Sequence, residues 1–165
     1  MSDDAMLEVA VKGLTFDPIT NVPIVILKDV NGKRLLPIWI GVFEANAIAL
    51  EMENVSTPRP MTHDLLNNFF PMVESSMVRV VVDNLMDNTF YATIYFDCRG
   101  EELKLDSRPS DAIALALRAK TPIFVTQDIM SQAQSFEMEK DIGDKEDWQK
   151  WLERITPEDF TRYKS

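Results

Sequence analysis

The chain has 165 residues, 45% of them hydrophobic and 27% charged, and 17 Lys and Arg stand against 27 Asp and Glu for a formal net charge of −10. Length and composition are those of one ordinary globular domain with a real core, while the acidity excludes a tight, sequence-independent grip on nucleic acid, which needs several cations on phosphates. The start, MSDDAMLEV, has no basic region and no long apolar run, so neither secretion nor membrane insertion is expected.

One cysteine, Cys98, excludes an intramolecular disulfide and reads as a core thiol in the strand-like YFDC. A cytoplasmic protein is expected.

In chain order, Leu7, Val9 and Val11 alternate with Glu8, Ala10 and Lys12, the period of a half-buried strand. A turn through Asp17 to Asn21 leads to a second strand, Val22 to Lys28. Asn31-Gly32 signals a hairpin, and a third strand runs from Arg34 to Ile40. Gly41 ends this sheet segment and a helix follows from Phe43 to Met52. Beyond Pro58 and Pro60, Thr62 reads as the cap of a second helix that reaches Phe70 and is closed by Pro71.

The pattern then restarts. Strands are expected over Met77 to Asn84, Phe90 to Asp97 and Glu102 to Asp106, with a turn at Arg99-Gly100. They lead into SRPSDAIALALR, Ser107 to Arg118, the stretch around which the chain is organised. Pro109 suits a first helical turn, Ser107 or Arg108 can cap it, and Asp111 lies where the helix dipole favours an anion. Ala112 to Leu117 leave no polar face, which predicts a core helix with Arg108, Ser110 and Asp111 at its rim.

Short stretches recur in the same order. Ala47-Ile48-Ala49-Leu50 returns as Ala112-Ile113-Ala114-Leu115, and Thr57-Pro58 with Thr62-His63-Asp64 returns as Thr121-Pro122 with Thr126-Gln127-Asp128. The expectation is a single α+β domain over 1–130 with one mixed sheet, built from a duplicated β-β-β-α unit with halves at about 6–72 and 77–130. Residues 131–165 form an acidic extension. Trp148, Trp151, Leu152 and Ile155 fall there at helical spacing, on a helix that folds back, meets a second subunit or receives a protein partner.

Three stretches carry a resemblance: LPIWIG with EANAIAL (Leu36 to Leu50), RPMTHDLL (Arg59 to Leu66) and the Ser107 to Arg118 stretch. Together they resemble the bifunctional nuclease domain family over roughly Met6 to Met130. The resemblance implies a chain of bacterial style that forms homo-oligomers, and it carries over cleavage of RNA and DNA, described for plant members.

Residues found in one copy of the repeat only are candidates for chemistry. His63 is the only histidine and has Gln127 as its counterpart; Arg59 has Ile123 and Asp111 has Asn46; Glu44, Arg108 and Ser110 have no like counterpart. Asp64, echoed by Asp128, reads first as a helix-start residue and second as a functional one.

If the helix starts meet, Glu44, His63, Asp64 and Asp111 form an acidic cluster with one imidazole, flanked by Arg59 and Arg108. Such a set suits phosphodiester hydrolysis. Asp111 and Glu44 would hold Mg²⁺ or Mn²⁺, His63 would transfer a proton with Asp64 beside it, and Arg59, Arg108 and Ser110 would bind the phosphate.

Each residue also has a structural reading. His63 can simply hydrogen-bond, Asp111 and Ser110 can stabilise the helix start, and Arg59 and Arg108 can pair with Asp111 or Glu44 to tie the halves together. On that reading the chain is a non-catalytic regulatory or assembly module. Five glycines and no phosphate-cradling loop argue against an organic cofactor.

Overall fold

The computed structural model describes residues 5–132. The readings of Trp148, Trp151 and the rest of the extension beyond Gln132 lie outside the described residues.

Seven strands form one mixed sheet in the order β3-β2-β1-β7-β4-β5-β6. The first meander is β1 (Met6–Phe16), β2 (Pro23–Asp29) and β3 (Leu35–Trp39); the second is β4 (Ser75–Met86), β5 (Thr89–Cys98) and β6 (Glu101–Ser107). Between them lies β7 (Ile123–Thr126), antiparallel to β1 and parallel to β4. Among the described residues four helices complete an α+β domain: α1 (Val42–Met52), α2 (Thr62–Met72), α3 (Pro109–Ala119) and α4 (Gln127–Gln132).

The turns follow from local chemistry. Asp29 accepts the Asn31 N–H on its side chain at 2.9 Å and donates its own N–H to the Arg34 carbonyl at 3.0 Å, closing the β2–β3 hairpin. Asp87 and Asn88 both take positive φ, 51° and 58°, the conformation that lets a two-residue turn match the twist of β4 and β5. Gly100, at φ 85°, turns β5 into β6, and its N–H bonds to Asp97.

Helices α1 and α3 pack on each other over one sheet face. Ala45, Ala49, Ala112 and Ala116 are buried there, and small side chains let the helices approach closely. Beneath them lie Val25, Leu27 and Leu36 from one meander and Val80, Val82 and Ile94 from the other, joined by Val125 of β7. The apolar run Ala112 to Ala116 is fully buried, as a helix without a polar face must be. By contrast α2 buries only His63 and leans on the sheet through Phe70, whose ring meets Phe96 edge-on at 4.7 Å.

Several expectations are corrected. The sequence patterns assign no element to Ile123 to Thr126, yet these residues become the central strand β7 because both its edges find partners; the corresponding segment 59–62 forms no strand. Thr62 is not a cap. The N-cap position is Met61, whose N–H bonds to the Asp64 carboxylate at 2.9 Å, and α2 runs past Pro71 to Met72. Arg108 holds the N-cap position of α3 without a side-chain cap, and the Ser107 hydroxyl donates instead to the Arg108 carbonyl. Cys98 is half-buried at the end of β5 rather than in the core, with its thiol 3.8 Å from the Val73 carbonyl.

Candidate functional site

Three helices each carry an acid at their third residue: Glu44 on α1, Asp64 on α2 and Asp111 on α3. Free backbone N–H groups and the helix dipole favour an anion at that position. Glu44 and Asp111 are therefore equivalents by place in their helices, although short-match alignment set Asp111 against Asn46. Packing of α1 and α2 against α3 brings all three starts together.

Arg108 joins two of the acids. Its Nη2 donates to Glu44 Oε1 at 2.6 Å and lies 2.9 Å from Asp111 Oδ2, which also accepts from Nε at 3.0 Å. The other oxygen of Asp111 lies 2.9 Å from His63 Nε2, across 48 positions of sequence. Four residues from three helix starts thus form one chain, Glu44–Arg108–Asp111–His63.

Burial grades this chain from base to rim. The side chains of Glu44 and His63 are 8% and 11% exposed, that of Asp111 is 30% and that of Arg108 is 51%. Glu44 Oε2 is buried and has no hydrogen-bond partner among the described residues. It lies against Gly41, where any Cβ would collide with it, so the glycine leaves room for the carboxylate.

The electrostatics follow from this packing. Burial pushes the Asp111 carboxyl up, but the His63 hydrogen bond and the Arg108 guanidinium together outweigh it and hold the group below its ordinary value. Burial likewise disfavours the Arg108 cation, and Asp111 and Glu44 together overcome that and hold it charged. Since an ionised Asp111 can only accept, His63 Nε2 carries the proton in their bond, and in the neutral imidazole Nδ1 is then the acceptor.

Asp64 belongs to a neighbouring pair. Its Oδ1 accepts from Arg118 Nε at 2.7 Å, while Arg118 also donates to the carbonyls of Ala114 at 2.9 Å and Ala47 at 3.1 Å. Burial raises the Asp64 carboxyl, yet the Met61 N–H and Arg118 bring it below the ordinary value. Arg118, 4% exposed, ties all three helices. Sequence reading treated it only as the end of the apolar helix. Its spacing seven residues from Asp111 on a helix, hence on the same face, was the available signal.

Arg59 does not join the chain. It is exposed on the loop between α1 and α2, and its side chain makes no hydrogen bond or ion pair among the described residues. It lines a cleft of about 360 Å³ with Thr57, Asp64, Asn68 and Arg118. Ser110 is buried at the second residue of α3, and its hydroxyl has no hydrogen bond among the described residues.

A divalent cation between Asp111 and Glu44 would meet Arg108 Nη2, which already bridges them. Among the described residues no group of three or more His, Cys, Asp or Glu side chains could hold a metal ion. With Arg108 in place the two carboxylates do not fit a resident Mg²⁺ or Mn²⁺.

Comparison with known proteins agrees with the sequence motifs. An uncharacterized protein of Mycobacterium tuberculosis is 38% identical over 164 residues, covering 94% of this chain and 98% of its own. Bifunctional nuclease 1 of Oryza sativa is 30% identical over 64% of this chain and 33% of its own length, and bifunctional nuclease 2 of Arabidopsis thaliana is 28% identical over 62% and 32%. The family model of the bifunctional nuclease domain matches residues 25–138, a span that holds every residue of the four-member chain, and this protein belongs to that family.

Proposed function

We propose that the chain is a nuclease that hydrolyses phosphodiester bonds in RNA, DNA or both. The observation that carries this reading is the Glu44–Arg108–Asp111–His63 chain, in which a buried imidazole is held by an ionised carboxylate beside a half-exposed guanidinium. The names of the plant relatives support it.

In this reading Asp111 fixes the imidazole and stabilises its positive charge once Nδ1 takes a proton from the attacking water; the water oxygen bonds to phosphorus as the bond to the leaving sugar oxygen breaks, and the imidazolium returns its proton to that oxygen. Arg108 offers donors to the phosphate oxygens, where negative charge grows in the transition state. Glu44 holds Arg108 from below. Arg59, unpaired among the described residues, binds a neighbouring phosphate, and Asp64 keeps α2 and Arg118 in place rather than taking part. No step runs through a metal ion; Mg²⁺ or Mn²⁺ enters only if Arg108 withdraws from the two carboxylates.

Labelled single-stranded RNA and DNA, incubated with purified chain with Mg²⁺, with Mn²⁺ and with chelator, test this beside His63→Ala and Asp111→Asn from identical preparations. Cutting that falls by about a hundredfold or more in both folded variants is expected. Loss of cutting in chelator would bring a cation back into the site. Equal cutting in all three preparations would mark a contaminant and sink the nuclease reading.

A second reading has its own observation. Arg108 bridges α1 to α3, as a purely structural tie between two halves would. Absence of cutting, with folding lost in Arg108 variants, would favour a non-catalytic assembly module.

A further inference from the structure

The two edges of the sheet differ. β3 has five residues, with Pro37 in its middle removing a backbone donor, one of the usual guards of an exposed edge. β6 has seven residues and no proline, and it pairs with β5 without a bulge from Ser107 against Ala92 to Glu101 against Cys98. Glu101 to Asp106 are all exposed.

The side chains of β6 divide by face. Leu103 and Leu105 stand opposite Phe96 and Ile94, on the helix side, and remain 47% and 48% exposed. Phe96 in turn touches Phe70 of α2, and α2 turns Leu65, Phe69 and Met72 to solvent at 63%, 51% and 79%. Exposed apolar side chains thus lie on both α2 and β6, with the Phe70–Phe96 contact beneath α2. On the other face Glu102 and Lys104 lie two residues apart with opposite charge, Glu102 3.5 Å from Arg79 and Lys104 over the Tyr95 ring at 5.4 Å.

We propose that a second copy of this chain adds its own β6 antiparallel to this edge, about a two-fold axis through Leu103 and perpendicular to the sheet. The strand Glu102-Leu103-Lys104 is self-complementary in that register. Each Lys104 faces the second copy's Glu102, and the two Leu103 side chains meet on the helix side. A two-residue slip brings Glu102 opposite Asp106 or opposite another Glu102. A one-residue slip sets the leucines against the charged face. The axis keeps both α2 helices on one side of a continuous sheet. β6 ends at Ser107, next to Arg108, so the pairing also holds the approach to α3 in both copies.

Sedimentation equilibrium of the full chain tests this with four proteins: wild type, Lys104→Glu, Glu102→Lys and the double exchange. A wild-type dimer is expected. Each single change should weaken it about tenfold or more, since two like-charge pairs replace two opposite ones, and the double exchange should restore it. A wild type that stays monomeric, or a dimer equally strong in all four proteins, overturns the proposal. Should the single variants not fold, amide exchange of the wild type decides. Protection of β6 amides that grows with protein concentration supports the pairing, and its absence overturns it.

Discussion

Glu44 and Arg108 are joined by a 2.6 Å ion pair in which the acid is buried and the base is half-exposed, and the pair fastens the start of α1 to the start of α3. The two partners are not equivalent. Removing Arg108 leaves a buried carboxylate whose second oxygen already lacks a partner among the described residues, whereas removing Glu44 leaves a guanidinium that can reach water and keep Asp111. Arg108→Gln is expected to cost about 3 kcal/mol and Glu44→Gln less. The double variant should be less unstable than the two losses added. Urea unfolding of the four proteins measures the coupling, and strict additivity would mean that the pair does not act as a unit.

The acid limb of stability should report Asp111 and Asp64. Both carboxyls lie below their ordinary value of 3.8 in the folded chain. Below that value the unfolded chain binds more protons than the folded one, so stability rises with pH there. Their contribution is complete above the ordinary value and is lost as pH falls through the lowered folded value. Asp111→Asn and Asp64→Asn should each flatten the fall of thermal midpoint below about pH 4. A wild-type acid slope in both variants would contradict the assigned partners.

Gly41 is expected to resist even alanine. Its φ of −73° is open to any residue, so the constraint is space rather than backbone. The added methyl would press on Glu44 Oε2, which can move only by loosening the bond to Arg108. Gly41→Ala should cost about 1–3 kcal/mol, and pairing it with Glu44→Gln should not relieve the clash, whereas Glu44→Ala should. Thermal melts of these variants separate the two outcomes.

Arg59 and Arg118 line one cleft and should behave oppositely. Arg118→Met removes donors to Asp64, Ala114 and Ala47 and is expected to destabilise by about 3 kcal/mol. Arg59→Ala removes no bond among the described residues and should change stability by less than about 0.5 kcal/mol. If Arg59 binds substrate phosphate, its loss raises KM with kcat kept. An unchanged KM would take Arg59 out of the substrate site.

Much of the architecture was present in local chemistry. Strand alternation, the Asn31-Gly32 turn, Pro109 at a helix start and the apolar run to Leu117 are short-range signals, and each stands where it was read. The reading failed where tertiary partners decide. Four residues from Ile123 carry no pattern that separates a strand from the approach to a helix; two free strand edges made them β7. Thr62 is a good cap by type, but Asp64 reaches the Met61 N–H first.

The candidate site divides in the same way. The residue types and the three motifs came from sequence alone, because an only histidine and acids at helix starts are visible one residue at a time. Which of them touch was settled by the packing of α1, α2 and α3. It set Arg108 between Glu44 and Asp111, where a cation had been expected, and left Arg59 apart. It also brought in Arg118, an unremarked residue whose partners lie 54 and 71 positions away. Charge complementarity acts over a few ångströms, and the order of residues along a chain holds that distance only within one helix turn or one hairpin.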